Sequence, residues 1–416
     1  MRIAVIDSAF ADQRFQGLAA SWLRWELPRM GVAVTSVEDC DVVFITSNSQ
    51  QGIDRVRIEA KRARKLGKKV VLGGECSFGP SIFIEHVDAV CVGEGYEFIE
   101  HVAVNGIGDI ADLPYVYTGG SAEIIPSTIY PWHHPPIMHP DGYVRIPSSR
   151  GCKRRCMFCQ TGWQESYQKN PNMDNALMQA RKLSDASVGY TWLTNDAIVD
   201  GVADDCEHIS ATADAVFRNR ILRSNTKKVR IGVEGISSRL RRAVRKPIDI
   251  SRLIDSCIDM MNRGIGVGWF FVIGLPGEND DDWREHREAI SEIKAKAKKG
   301  VIMATYHAYI PQPATPLSVL PLEDGYWDRF ESFRRWFFDG PGHTRHYRIM
   351  PPAREPGRMT RAQQSINCSE AELRRGWWEH DQPNWVVRTL AGPPLLRRLA
   401  ARYVLEMNTV APVDIS

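Results

Sequence analysis

The sequence predicts an α/β protein in three parts: a doubly wound domain over residues 1–110, a partial parallel βα barrel over 144–320, and a helical region over 321–416, with a linker at 111–143. Three observations predict it. Up to residue 110, short apolar runs alternate with stretches of helical periodicity. Later strand-like runs close on glycine, as at Gly232–Gly235 and Gly274–Gly277. A loop carrying three cysteines follows a short strand directly.

Length and composition agree. A chain of 416 residues exceeds one typical domain, and 43% hydrophobic content is ordinary for a globular protein. A net charge of +3 is too small to argue for nucleic acid by itself. No apolar stretch approaches the ~18 residues of a membrane span, so no membrane partner is expected. The start, Met1 to Asp7, reads as a strand and not as a targeting segment, and with nine cysteines this points to a reducing, cytoplasmic location.

In the first domain, Arg2–Asp7, Asp41–Thr46, Lys69–Leu72 and Ala89–Val92 read as buried strands, with helices at Phe15–Met30 and Asp54–Leu66 between them. Continuous apolar strands separated by helices imply a parallel, Rossmann-like sheet covered on both faces. Residues 111–143 are rich in Pro, Gly, Tyr and His with little periodicity.

Tyr143–Pro147 then runs into Cys152, Cys156 and Cys159, spaced Cys-x3-Cys-x2-Cys. Soft thiolates in this pattern suit an iron–sulfur cluster or zinc. Three cysteines fill three corners of a cubane and leave one iron open. A structural zinc would need a fourth ligand, with His133, His134 or His139 available, and would make this a non-enzymatic interaction module. Lys153, Arg154 and Arg155 offset the negative charge of a cluster.

The cysteine spacing, with Phe158 before the last cysteine, resembles the signature of the radical S-adenosylmethionine superfamily. The resemblance implies a 4Fe-4S cluster on Cys152, Cys156 and Cys159 whose open iron holds the methionine part of S-adenosylmethionine. Later strand ends follow the same barrel in order. Thr194, Asn195 and Asp196 stand where the superfamily binds the cosubstrate amine, although the usual Gly-Gly-Glu motif is absent. Glu234, between glycines at a strand end, stands where similar enzymes contact ribose or amine. Gly268 to Glu278 is similar to the family's fifth-strand motif, whose Ile273, Gly274 and Leu275 backbone packs on adenine. His307 and Tyr309, on the sixth strand, are expected to share a face and reach substrate.

What the resemblance implies is reductive cleavage of the cosubstrate to a 5′-deoxyadenosyl radical, then hydrogen abstraction and rearrangement or modification of the substrate. An external electron donor of flavodoxin or ferredoxin type is the implied partner, and the substrate is a small molecule or a nucleic-acid base. Arginine and aromatic residues in 321–416 lean towards base contact. The first domain resembles the cobalamin-binding domain that precedes many such barrels. The family's cobalt-ligating histidine is missing after Asp7, since no histidine occurs before His86. The expectation is therefore a degenerate domain that shapes the substrate cleft, with cobalamin possible but not favoured and cobalamin-dependent methyl transfer as the alternative. Methylthiotransferases carry a second cluster in this domain, but only Cys76 matches their cysteines, so none is expected.

Overall fold

The computed structural model describes residues 1–8, 18–47, 53–74, 83–93, 95–120, 136–138, 144–147, 149–159, 161–164, 167–183, 190–193, 208–217, 226–309, 315–320, 325–350 and 393–408, and the single positions 77, 80, 122, 132, 312 and 323. It is a mixed α/β protein built on parallel sheets.

In the N-terminal domain the strands are β1 (Arg2–Asp7), β2 (Ala33–Val34), β3 (Val42–Thr46), β4 (Lys69–Gly73), β5 (Ala89–Cys91) and β6 (Val116–Tyr117). Helices α1 (Leu18–Arg29), α2 (Ile53–Lys65) and α3 (Tyr96–Asn105) connect them. The sheet order is β2-β1-β3-β4-β5-β6, parallel except for β6. All five residues of β3 are buried, because alternate side chains serve opposite cores. Val42 and Phe44 pack with Leu23 and Phe98, while Val43 and Ile45 pack with Val56 and Ala60. That two-sided burial is the doubly wound arrangement the apolar runs predict. The two-residue strands β2 and β6 are too short to show a period.

The second part opens with β7 (Ile137–Met138), antiparallel to β8 (Val144–Pro147). A ribbon of β9 (Ser149–Arg150) and β10 (Gln168–Lys169) follows. Between and after its strands come α4 (Thr161–Gln164), α5 (Met173–Leu183) and β11 (Tyr190–Leu193), which pairs parallel with β8. A parallel sheet then runs β12 (His208–Ala211), β13 (Lys228–Glu234), β14 (Gly266–Ile273), β15 (Ile302–Ala308) and β16 (Tyr347–Met350). Its connections carry α6 (Ala213–Phe217), α7 (Ser238–Ala243), α8 (Ile250–Asn262), α9 (Asp280–Lys296) and α10 (Tyr326–Phe338), and α11 (Pro393–Asn408) ends the described chain.

Alternation divides this sheet cleanly. Ile231, Val267, Trp269, Phe271 and Tyr306 are buried with Leu253, Trp283, Ile290 and Phe333 of the helices. The opposite, inner face carries Arg230, Gly232 and Glu234, then Phe270 and Val272, then Met303, Thr305 and His307. Ser237 caps α7, accepting the Leu240 N–H at 3.2 Å, and Asn279 caps α9 in a reciprocal box with Asp282.

One strand departs from the sequence reading, which takes 321–416 as a helical region. Tyr347–Met350 pairs parallel with β15 and adds a strand beyond the expected six. Its alternation spans only four residues amid Pro, Gly and Arg, but it is anchored by the Tyr347 hydroxyl, 2.7 Å from that of Tyr306. Among the described residues no helix is long and apolar enough to cross a membrane.

Candidate active site

The cysteine loop begins where β8 ends and is closed at its base by the β9–β10 ribbon. Two residues turn it through the left-handed region, Gly151 at φ +66° and Arg155 at φ +49°. Its centre is held from both sides. The Met157 N–H donates to the Val244 carbonyl at 3.1 Å, and the Met157 carbonyl accepts from the Leu317 N–H at 3.1 Å. The Trp163 indole N–H reaches the Cys156 carbonyl at 2.8 Å. Gly162 packs against the loop backbone, where a Cβ would stand 2.8 Å from Arg155 Cα and 3.4 Å from the Cys152 carbonyl oxygen. Phe158 packs half-buried against the core between the β12–β16 sheet and its helices.

Each sulfur has a distinct setting. The Arg154 N–H points at Cys152 Sγ from 3.5 Å, and Cys159 Sγ lies 3.7 Å from the Thr161 hydroxyl. Burial pushes the Cys156 thiol up to about 12; Lys246 opposes the shift, and Cys159, Glu234 and Cys152 add to it. Burial likewise raises Cys159, against its contact with Thr161. Cys156 and Cys159, both enclosed, resist ionising unless a cationic centre compensates.

Among the described residues, no group of three or more His, Cys, Asp and Glu side chains converges tightly enough to hold a single metal ion. His133, His134 and His139, the zinc alternative's fourth ligands, lie outside the described residues.

Glu234 ends β13 at φ +68°, after a register shift between Gly232 and Glu234. Its carboxylate accepts from Lys246 Nζ at 2.7 Å, with only 16% and 12% of the two side chains exposed. Gly232 makes this possible, since a Cβ there would collide with Glu234 Oε1 and lie 2.8 Å from Lys246 Nζ. Both partners act on the Cys156 thiol, so the pair sits beside the cysteine loop. Lys246 is absent from the sequence reading; its only trace is the basic run Arg241–Lys246 across the end of α7.

Ile273 and Leu275 are buried, and Gly274 turns at φ +75°. Glu278 lies beneath that turn, accepting the Gly274 N–H at 2.9 Å and the Trp283 indole at 3.0 Å. Burial raises the Glu278 carboxyl to about 8, against the pull of those two donors. The turn is clamped from outside. The Glu323 N–H donates to the Gly274 carbonyl at 3.0 Å, Arg239 donates to the Gly277 carbonyl at 2.9 Å, and the Tyr403 hydroxyl of α11 donates to the Pro276 carbonyl at 2.9 Å.

His307 lies on the inner face, exposed, its ring stacked on Phe270 with centroids 6.1 Å apart. Partial desolvation lowers its pKa, with Glu234 opposing. Tyr309 does not share that face. The strand ends at Ala308, and Tyr309 is buried, with its hydroxyl 2.5 Å from the Leu317 carbonyl and its N–H on Ile273. Its ring ties down the exit loop instead of facing a substrate. Thr194, Asn195 and Asp196 lie outside the described residues, as does Cys76.

In the N-terminal domain the order 2-1-3-4-5 reverses between β1 and β3, the place where ligands sit in such sheets. That edge is lined with buried hydroxyls. Ser8 donates to the Thr46 carbonyl at 3.0 Å, while Thr46 Oγ1 is buried with no hydrogen-bond partner among the described residues. Gly74, at φ +93°, lies so close that a Cβ would sit 2.5 Å from the Ser47 carbonyl oxygen.

No protein-family model matches the sequence, and no curated protein matches it. Solved structures do match. The cobalamin-dependent S-adenosylmethionine radical enzyme OxsB, with aqua-cobalamin and S-adenosylmethionine bound, aligns at TM-score 0.54 and 14% identity over 72% of this chain. The chain spans only 53% of the length of OxsB. The radical S-adenosylmethionine methyltransferase TsrM from Kitasatospora setae, with tryptophan and a cosubstrate analogue bound, aligns at TM-score 0.52 and 14% identity over 89% of this chain and 90% of TsrM. These matches remove the support for disfavouring cobalamin. That expectation rested on one missing histidine, whereas the switch-point edge on which a ligand would lie is present. The chain has the fold of the radical S-adenosylmethionine enzymes that carry an N-terminal cobalamin-binding-like domain.

Proposed function

We propose that the chain is a radical S-adenosylmethionine enzyme. The observation that carries the reading is the cysteine loop, pinned through Met157 to Val244 and Leu317 and set beside the Glu234–Lys246 pair. Cys152, Cys156 and Cys159 would hold a 4Fe-4S cluster. The chemistry such a cluster supplies when bound is one-electron cleavage of S-adenosylmethionine to methionine and a 5′-deoxyadenosyl radical, which abstracts a substrate hydrogen. The chain's own groups bind and orient. The backbone of Ile273, Gly274 and Leu275 offers a flat apolar edge to adenine, fixed from below by Glu278. Glu234 accepts from ribose hydroxyls or the amine, and Lys246 keeps it aimed. His307, over Phe270, is placed to contact the substrate. An external flavodoxin- or ferredoxin-type protein delivers the electron.

A second reading adds cobalamin at the switch point of the N-terminal domain, and with it methyl transfer. The buried hydroxyls of Ser8 and Thr46 and the close approach of Gly74 to Ser47 favour it. A corrinoid seated there needs no histidine from this chain.

The test is anaerobic reconstitution with iron and sulfide, then reductant and cosubstrate. We expect about four irons per chain and 5′-deoxyadenosine in the product mixture, both lost in Cys156→Ala. A fully loaded protein that forms no 5′-deoxyadenosine defeats the radical reading, and zinc without iron in the purified protein points to the interaction module. Cobalamin absorbance retained by wild type and lost in Gly74→Val separates the second reading from the first.

A further inference from the structure

Lys246 stands between the carboxylate of Glu234 and the cysteine loop, and a sharp reversal after α7 brings it there. Arg245 lies in the left-handed region at φ +60°, and the Lys246 N–H returns to the Arg241 carbonyl at 2.8 Å. A non-glycine residue keeps such a backbone only where its surroundings hold it. Two successive cations are thereby sent apart. Arg245 stays exposed, its guanidinium carbon 5.9 Å from the Trp163 ring centroid, while the Lys246 side chain is largely enclosed on Glu234. The whole turn rests on the loop, because the Val244 carbonyl takes the Met157 N–H and Trp163 donates to the Cys156 carbonyl. Arg155, exposed on the loop itself, also lies over Trp163, at 6.0 Å.

These cations are not equivalent. Exposed guanidinium groups are screened by water and salt, whereas an enclosed ammonium acts on its surroundings with little screening. Lys246 favours the ionised form of Cys156 and Glu234 opposes it, so the partners pull in opposite senses. With Lys246 Nζ and Glu234 Oε1 2.7 Å apart, the two charges largely cancel at the loop. We propose that Lys246 transmits the occupation of Glu234 to the cysteine loop, so that engaging this carboxylate makes a cluster held there easier to reduce. The inference rests on the radical S-adenosylmethionine reading. A cationic amine on Glu234 cancels its charge, and a ribose hydroxyl draws it off Nζ. Either leaves the ammonium less compensated, and a cation beside the thiolates stabilises an added electron. No bond forms or breaks at Lys246; the electron comes from the external donor protein. By linkage, reduction strengthens cosubstrate binding by the same factor. Lys246 is thus a positioning residue whose charge ties electron entry to a filled site.

Redox titration of the full, anaerobically reconstituted chain, followed by electron paramagnetic resonance, reads the effect as a midpoint potential without turnover. In the absence of cosubstrate we expect Lys246→Met to make the cluster harder to reduce and Glu234→Gln to make it easier, each by about tenfold in the equilibrium constant, or ~59 mV for one electron. The double variant, which keeps the shapes and removes both charges, should fall between the two. Lost packing alone would move both single variants the same way. S-adenosylhomocysteine, which carries the amine and ribose but has no sulfonium to cleave, should raise the wild-type potential by more than it raises that of Lys246→Met. Lys246→Arg should keep part of that response. Single variants that shift together or not at all, or an equal response to S-adenosylhomocysteine in wild type and Lys246→Met, overturn the proposal and leave the radical reading standing. Should Lys246→Met fail to load, the Glu234→Gln and double variants decide by the same signs. Wild type that takes up no cluster defeats the radical reading itself, and this proposal with it.

Discussion

Gly232 and Glu234 illustrate how one missing side chain controls another. The carboxylate folds back over Gly232 to reach Lys246, and any Cβ at that glycine would displace it. Gly232→Ala is expected to cost about 1–3 kcal/mol by overpacking and to disrupt the ion pair. Urea unfolding measures the first effect, and equilibrium binding of S-adenosylmethionine to the reconstituted protein measures the second. Glu234→Gln keeps the shape and removes the charge, so it should weaken cosubstrate binding about tenfold with the iron content unchanged. Glu278 makes a pH prediction. Burial raises its folded pKa to about 8, above the ordinary 4.5 of an unfolded glutamate. Between those values the folded state binds more protons than the unfolded state. This group's contribution to stability is therefore fully present below about 4.5 and is lost as pH rises towards 8. Denaturant midpoints at pH 5 and pH 8 should show that decline in wild type and a smaller one in Glu278→Gln.

At the level of elements, α11 and α7 act together on the turn after β14. Arg239 of α7 pairs with Asp282 at 2.5 Å and also donates to the Gly277 and Met407 carbonyls. The Asp282 side chain is only 2% exposed, so Arg239→Ala strands a buried carboxylate and should destabilise the fold by about 3 kcal/mol. Tyr403→Phe removes one hydrogen bond to the Pro276 carbonyl and should cost about 1 kcal/mol. On the proposed function it should raise KM for S-adenosylmethionine more than it lowers kcat. Local signals reveal little of this clamp. The periodicity of α9 and the caps Ser237 and Asn279 are readable from neighbours three or four residues away. Tyr403 and Pro276 are 127 positions apart, and no local pattern joins them. Lys246 and Glu234 are only 12 apart, yet their pairing depends on how α7 turns back on β13. Tyr309 fails for a related reason: period-two reasoning assumes the strand continues, and it stops one residue earlier.

Over the whole molecule, the parallel architecture was legible because buried parallel strands leave apolar runs such as Val42–Ile45 and Trp269–Ile273 that few other folds require. The cysteine loop was legible because its ligands are close in sequence. The N-terminal ligand edge was undervalued because it is made largely of backbone, a glycine approach and buried hydroxyls, none of which has a distinctive residue signature. Strand β16 carries a consequence for how the protein can be divided. It returns from beyond residue 320 to cover the outer side of β15. A fragment ending at 320 would bare the edge of β15 along Ile302–Thr305, the four residues that β16 covers, and invite intermolecular pairing. Such a truncation should elute from size-exclusion chromatography as high-mass aggregate, whereas a chain retaining residues up to 408 stays dispersed. The recognisable sequence motifs end before the β12–β16 sheet does, so motif boundaries are the wrong guide for trimming this protein.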